Sequence, residues 1–297
     1  MRDFRFHIAS LIAVFLALGV GMLVGYSIGL ELQMEPLRSQ IQSVQKQNSE
    51  LSDENRDLQD SGRDLGQDKT HLQNEVDQLA RLSVAGRLAG RSVSLICVGA
   101  PPPPSVVDHI WKPLLAAGAT RLNETSIHGP IVPPNSKAAN EILTHIQAAS
   151  DDDPSTAIAR ALALCAGLGS DPVLPTALSH RGTPIDFSGT YDKKADLVVL
   201  LSGVDSEDRL RAIKNGDTLE TPIVQALQDH GVRVVECEEN RSFGSAGPYF
   251  HRLGISSVDD IESVEGEVAL VWAALGYSGH YGVSSSADSL LPGVPHQ

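Results

Sequence analysis

An uncharged apolar segment near the N-terminus, residues 8–30, constrains this 297-residue chain more than any other feature. Its 23 residues include no Asp, Glu, Lys or Arg. As an α-helix rising about 1.5 Å per residue it measures about 34 Å, more than the roughly 30 Å of a bilayer's hydrocarbon core. A signal peptide has a shorter apolar core and ends at an A-x-A-like site, and neither feature is present. We therefore predict a retained transmembrane helix over 8–30.

A heptad pattern begins where this segment ends. The apolar side chains recur at every seventh position, taken as d: Leu30, Leu37, Val44, Leu51, Leu58, Leu65, Leu72 and Leu79. Asn48 and Asn55 fall at a positions, which fixes register and favours two strands. The pattern predicts a parallel, two-stranded coiled-coil stalk over 31–85. The alternative is a single amphipathic helix packed on its own head.

Two further patterns refine this expectation of a homodimer. Small residues follow one face of the apolar segment: Ala9, Ala13, Ala17, Gly21, Gly25 and Gly29. Such a face lets two membrane helices approach closely. In the stalk, Gly62 and Gly66 are poor helix formers and predict a bend or loosened turn over 60–66. Pro36 predicts a kink near the membrane exit.

Charge around the apolar segment predicts its orientation. Arg2 and Arg5 lie in the short stretch 1–7, and Glu31 and Glu35 follow the segment. The positive-inside rule then places 1–7 in the cytoplasm and the head outside, as a single-pass protein of the cell membrane. The whole chain carries a net charge of −14. Because an acidic surface repels phosphates, we exclude nucleic acid as a partner.

The remaining sequence alternates strand-like and helical segments. Strands are predicted over 91–100, 195–203 and 232–237, and helices over 106–117, 138–149, 154–168, 221–230 and 266–277. For the helix over 221–230, Thr221 followed by Pro222 is typical of an N-cap and first helical residue, and Gly231 is typical of the residue that ends a helix. Near-continuous apolar strands between helices indicate a mostly parallel α/β sheet with Rossmann-like layering. We predict this head over 90–283, followed by a flexible tail over 284–297.

The head shows little catalytic chemistry. The loop after the first strand, 98–104, reads VGAPPPP, and its four prolines remove the backbone N–H groups that a phosphate cradle needs. Residues 276–280, GYSGH, lack the last glycine of a nucleophile elbow and follow a helix. We therefore expect no enzyme. Were a ligand to bind at the carboxyl ends of the strands, the pocket candidates are Gly99, Asp205 and Glu238.

Both ends of the chain resemble one family. Residues 7–29, HIASLIAVFLALGVGMLVGYSIG, are similar to the N-terminus of the copper transport proteins called MctB. The segment 255–292 resembles the family's C-terminal signature, with matching residues at 257–260, Gly266, 269–271 and 279–282. The resemblance implies a role in copper homeostasis or efflux, with the outer membrane as the alternative location. It carries over no agreed copper ligands, so the cofactor stays unknown, with copper as the candidate.

If that role involves direct binding, the soft ligands in the head are its three cysteines, since Cu(I) favours sulfur. Cys97 and Cys237 lie in strands that the parallel sheet could make neighbours, so this pair is the candidate metal site. Cys165 lies in a predicted helix. The rival hypothesis is a dimeric envelope scaffold or adaptor that binds another envelope protein and carries no metal chemistry.

Overall fold

The computed structural model describes residues 3–149, 151, 153–179, 183–239 and 243–293, with the backbone alone for 3–5 and 27–36. The chain divides into two compact units, Met1–Gln73 and Asn74–Gln297. The first unit is formed by a single helix, α1, which begins at Asp3 and ends at Val84 inside the second unit.

The N-terminal part of α1 has the length and composition of a membrane span. The apolar stretch Phe6–Tyr26 has a mean hydropathy of 2.5, and none of it is buried inside the molecule. It overlaps the predicted span 8–30. In the part of the chain that the structure describes, it is the one helix long and apolar enough to cross a bilayer.

The predicted loosened turn over 60–66 is wrong, because α1 is continuous there. A β-carbon added at Gly62 or Gly66 would meet nothing within 4 Å. Each glycine costs a helix only about 1 kcal/mol relative to alanine, which a long helix tolerates. The backbone also remains helical through Pro36. The apolar heptad side chains from Leu37 to Leu79 are all exposed in the single chain, and their pairing in a coiled coil stays a prediction.

The second unit is an α/β domain. Its strands are β1 Ser92–Val98, β2 Thr120–Ile127, β3 Ile185–Gly189, β4 Leu197–Ser202, β5 Arg233–Cys237, β6 Ser256–Val258 and β7 His280–Tyr281. Its helices after α1 are α2 Pro104–Ala116, α3 Ser136–His145, α4 Pro154–Leu168, α5 Leu174–Ser179, α6 Glu207–Asn215, α7 Glu220–Asp229, α8 Gly247–Arg252 and α9 Val264–Leu275.

The strands form one sheet in the order β3-β2-β1-β4-β5-β6-β7. Its pairings are parallel except that of β2 with β3, which is antiparallel. The predicted mostly parallel α/β fold is confirmed. Strands β2 and β3 lie on one side of β1, and strands β4 to β7 follow in order on its other side. The order of the strands therefore reverses between β1 and β4.

Helices cover both faces of this sheet. On one face, α4 packs against α7 over a core that includes Ile96, Leu200 and Val234. On the other, α2 packs against α9 over Leu95, Val199 and other apolar side chains. Alternate residues of each strand point to opposite faces, so both faces of the central strands are apolar and the strand sequences read as continuous hydrophobic runs.

The structure differs from the sequence prediction at the start of α7 and at β2. Helix α7 begins at Glu220 with Leu219 at the N-cap, and the Thr221 hydroxyl instead lies 2.7 Å from that of Tyr249. Strand β2 was not predicted because its sequence, TRLNETSI, is mostly polar. The described part of the tail is hydrogen-bonded: Ser284 N donates to Asp259 Oδ2 at 3.0 Å and Asp288 N to the His280 carbonyl at 2.7 Å. Residues 294–297 lie outside the described residues.

Candidate functional site at the carboxyl edge of the sheet

Two rows of polar side chains lie on one face of the sheet at its carboxyl edge. Glu236 pairs with Ser257 across β5 and β6, and Ser257 pairs with His280 across β6 and β7. The next row along the strands places Glu238 and Asp259 just beyond the strand ends. With Ser202 at the end of β4, these residues form what we call the carboxyl-edge patch: Ser202, Glu236, Glu238, Ser257, Asp259 and His280, all buried.

Glu238 is held by the segment that leads into α8. Its carboxylate accepts hydrogen bonds from the Ser245 hydroxyl and from the Ala246 backbone N–H at 3.0 Å. Burial outweighs these bonds and raises the pKa of Glu238 to about 7. The carboxyl group therefore changes charge near neutral pH while remaining inside the protein.

His280 ends the first row and contacts residues of both rows. Its Nδ1 lies 2.9 Å from the Ser257 hydroxyl, and its Nε2 lies 3.4 Å from the Ser245 hydroxyl and 3.9 Å from Asp259 Oδ2. Burial lowers the pKa of His280, although Asp259 opposes this shift. The imidazole is thus neutral at physiological pH and acts as a hydrogen-bonding group.

Asp259 ties the C-terminal segment to the sheet. Its two carboxylate oxygens accept hydrogen bonds from the backbone N–H groups of Val283 at 2.7 Å and Ser284 at 3.0 Å. A methyl group at Gly282 would overlap this carboxylate. Asp288 adds a second tie by accepting from His280 N at 2.8 Å. The residues after β7 are therefore hydrogen-bonded to the patch.

Glu236 is the least satisfied member of the patch. It is fully buried, and among the described residues no donor meets either of its oxygens in good hydrogen-bond geometry, although the Ser202 hydroxyl is close enough to favour its ionised form. Burial and the neighbouring carboxylate of Glu238 raise its pKa well above the usual value. A buried carboxyl without a donor is stable only in its protonated form or beside a cation.

An arginine fills the point where the strand order reverses. Arg209, on the first turn of α6, donates from Nε to the Gly203 carbonyl at 2.5 Å and from Nη2 to the Val98 carbonyl at 3.0 Å. Nη2 also contacts Glu220 Oε1 at 2.5 Å. We call the space between these residues the switch-point crevice.

The three residues that the sequence analysis gave as pocket candidates lie in different parts of the domain. Glu238 lies in the carboxyl-edge patch. Gly99 lies beside the switch-point crevice, where an added β-carbon would be 2.9 Å from Arg209 Nε. Asp205 is exposed and accepts a hydrogen bond from Ser206, so it belongs to neither place.

The prediction that Cys97 and Cys237 lie on neighbouring strands is wrong. Cys97 on β1 pairs with Leu201 on β4, and Leu201 pairs with Cys237 on β5. Two strand spacings, about 9–10 Å, separate the two cysteines. Burial raises the pKa of the Cys97 thiol to about 12 and that of Cys237 well above 9.0. The structure therefore does not support one Cu(I) ion shared by these two thiols, since the thiolate is the metal ligand.

The patch does not resemble a catalytic relay. In such a relay the acid hydrogen-bonds one ring nitrogen of the histidine, and the nucleophile lies at the other. Here Asp259 Oδ2 is 3.9 Å from Nε2 of His280, beyond hydrogen-bond distance, and both Asp259 oxygens accept from backbone N–H groups. The Ser257 hydroxyl at Nδ1 is fully buried and also bonds the Gly247 carbonyl, so it is not presented to a substrate. Among the described residues no group of three or more His, Cys, Asp or Glu is arranged to hold a metal ion. The patch is suited to holding protons and fixing segments.

The sequence contained a signal for this site. In RVVECEE, Glu236 and Glu238 flank Cys237 at the end of a buried strand, and this alternation places both acids on one face. Ser257, Asp259 and His280 belong to the segment that resembles the MctB signature. Ser202 and Ser245 carried no signal that distinguishes them from other serines.

These features define a class of protein: a doubly wound α/β domain at the end of a long helix whose N-terminal part is apolar enough to span a membrane. The family described as "Copper transport outer membrane protein, MctB" matches residues 1–292, and the chain belongs to that family. Comparison with curated proteins gives no match.

Proposed function

We propose that this chain is a single-pass envelope protein that acts in copper homeostasis or efflux, with residues 1–7 in the cytoplasm and the α/β domain outside. The observation that carries the proposal is the family match over residues 1–292. The apolar stretch Phe6–Tyr26 and the preceding Arg2 and Arg5 support the anchoring and the orientation.

Deletion of the gene tests the copper role. We expect the deletion strain to be more sensitive to copper and to contain more cellular copper, and the full chain to restore both values. A version that begins at residue 74 lacks the anchor and should not restore them. Unchanged copper sensitivity and content in the deletion strain would contradict the proposal.

Cysteine labelling of intact cells tests the orientation. The three native thiols are buried, so an impermeant maleimide should give little background. A cysteine introduced at the exposed position Lys214 should be labelled in intact cells. Labelling at this position only after lysis would place the domain on the cytoplasmic side.

The second candidate function is a dimeric envelope scaffold without metal chemistry. The exposed apolar heptad positions favour it, because a single chain leaves them unpaired in water. Rescue of the deletion strain separates the two functions. A scaffold without metal chemistry should fail when Leu51 and Leu58 are both changed to Asp, and its deletion should leave copper sensitivity and copper content unchanged. A copper-homeostasis protein should change both copper values on deletion, and the full chain should restore them.

A further inference from the structure

Strand β3 forms an open edge of the sheet. It is the first strand in the order β3-β2-β1-β4-β5-β6-β7, and β2 is its neighbour on one side only. Its residues after Ile185 are partly or fully exposed. At the opposite end of the sheet, β7 is two residues long and is bridged to Ser289. The free side of β3 is therefore where a further strand can pair with this sheet.

The register of β3 shows which of its backbone groups face the free side. Pro184, just before the strand, accepts a hydrogen bond from His128 N at 2.9 Å. In an antiparallel pair every second residue bonds to the partner strand, so Asp186 and Ser188 bond toward β2. The N–H and C=O groups of Phe187 therefore point away from β2. Among the described residues, no backbone group outside the sheet ladder bonds to either of them.

A groove runs along this free side, with a volume of about 410 Å³. Pro172 and Pro175, in and before α5, form one wall, and Phe187 and Tyr191 lie on the strand side. The two aromatic rings meet edge to face, with 5.8 Å between their centroids. Hydroxyl side chains from α5 and β3 complete the lining. The groove thus offers an apolar surface on the face of the sheet that Phe187 occupies.

The opposite face of β3 carries a negative charge. Successive residues of a strand alternate between faces, so Asp186 lies on the face opposite to Phe187. Its side chain is 84% exposed, and its Oδ2 lies 2.9 Å from Nε2 of His128. A charge on an edge strand opposes pairing with strands that do not match it, and opposite charges across a pair stabilise the pairing. The matching strand therefore has an apolar residue opposite Phe187 and basic residues on either side of it.

We propose that the free edge of β3 binds an extended segment of a partner protein by strand addition. In this mode main-chain hydrogen bonds provide affinity, and alternate side chains provide specificity. The segment alternates apolar and basic residues, and one apolar residue exchanges two backbone hydrogen bonds with Phe187 while its side chain lies in the groove. This inference goes beyond the copper role and does not depend on it.

A second copy of this chain matches the edge less well than a basic segment does. Pairing β3 antiparallel with itself about Phe187 would bring two Asp186 carboxylates to the same face of the joined sheet, where like charges repel. The net charge of −14 on each chain opposes the same approach.

Peptide binding to the full chain in detergent tests the proposal. The probe is the fluorescein-labelled peptide TKVKVKT, and TKKKVVT is the control with the same composition and no alternation. We expect saturable binding of TKVKVKT by fluorescence polarisation at physiological salt, about tenfold tighter than that of the control. Hydrogen exchange should slow over 185–189 in the complex. No saturable binding, equal binding of the two peptides, or slowed exchange only elsewhere would overturn the proposal.

Phe187→Pro tests the backbone contact directly. Proline removes the outward N–H of residue 187 and leaves the bonds to β2 in place, and edge strands accept proline where the N–H faces solvent. The affinity for TKVKVKT should fall about tenfold. Phe187→Ala is the matched control, because it removes the same ring but keeps the N–H, and it should bind more tightly than Phe187→Pro. Equal affinities of wild type and Phe187→Pro would overturn the proposal. Self-association of the wild type that Phe187→Pro abolishes in sedimentation would assign the edge to a second copy instead.

Asp186→Lys covers the case in which Phe187→Pro does not fold. Reversing this exposed charge should weaken binding of TKVKVKT and strengthen binding of the acidic peptide TEVEVET. Asp229→Lys makes the same change at an exposed position at the end of α7, away from β3, and should alter neither affinity. Equal responses of the two variants would show that the net charge of the chain, and not the β3 edge, selects the peptide.

Discussion

Gly247 lies against the imidazole ring of His280, so closely that a methyl group at position 247 would overlap the ring. Gly247 is the first residue of α8, and its backbone N–H donates to the Ser245 hydroxyl at 2.9 Å. Its carbonyl accepts from the Ser257 hydroxyl at 3.3 Å. Helix α8 and strand β7 are therefore joined over β6 through a contact that leaves no room for a side chain.

Gly247→Ala should destabilise the domain, because His280 is buried among the Ser245 and Ser257 hydroxyls and has little space to move. Overpacking of this kind typically costs about 1–3 kcal/mol of unfolding free energy. Chemical unfolding of the full chain measures it. Gly231→Ala is the control, since Gly231 has open space around it but a φ of 70°. It should cost only about 1 kcal/mol, from backbone strain. An equal cost at both positions would show that the ring contact is unimportant.

The pH dependence of stability should report on Glu238. Its pKa is about 7 in the folded protein against 4.5 in the unfolded chain, so the folded state holds a proton that the unfolded state has lost. The free energy of unfolding should therefore fall as pH rises from about 4.5 through 7, by on the order of 3 kcal/mol. Equilibrium unfolding at a series of pH values measures this slope.

Glu238→Gln should remove the part of that pH dependence that Glu238 contributes, because the amide keeps the shape of the side chain and does not titrate; the part from Glu236 and Glu220, whose pKa values burial also raises, should remain. Glu207→Gln, at an exposed position on α6, serves as the control and should leave the slope unchanged. A Glu238→Gln protein with the wild-type slope would show that Glu238 is already ionised throughout this range.

The sheet was predictable where its strands are apolar, as in β1 and β4, because burial on both faces leaves a continuous hydrophobic sequence. Strand β2 was not predictable, since Asn123 and Thr125 are buried polar residues whose side-chain hydrogen bonds go to partners distant in sequence. Asn123 donates to the carbonyls of Ala166 and Thr190, and Thr125 contacts the Tyr191 hydroxyl. Tertiary hydrogen bonds of this kind leave no local pattern.

The candidate site was predictable in part. Glu238 follows a strand-like segment, and parallel strands bring their carboxyl ends to one edge, so its place could be inferred. The error over Cys97 and Cys237 came from strand order: β4 lies between β1 and β5, and sequence does not state which strands are adjacent. The contact of Asp259 with the residues after β7 depends on a segment that looked like a flexible tail.

The predicted stalk dimer has a direct test. Leu51→Asp combined with Leu58→Asp would bury charge in the coiled-coil seam, and the full chain in detergent should sediment as a monomer. Ser49→Asp is the control, because position 49 faces away from the predicted seam, and this variant should remain a dimer. A wild-type chain that already sediments as a monomer would rule out the stalk dimer.

Cys97 and Cys237 offer the last prediction. Leu201 lies between their strands, and both thiols are buried with raised pKa values, so neither presents a thiolate to a metal. A Cu(I) competition titration on the reduced full chain should give the same affinity and stoichiometry for wild type, Cys97→Ser and Cys237→Ser. Cys165→Ser is the matched control, since Cys165 is also buried but lies on α4. If Cys97→Ser and Cys237→Ser each abolish a tight site that Cys165→Ser retains, the conclusion that these two thiols do not share a Cu(I) ion is wrong.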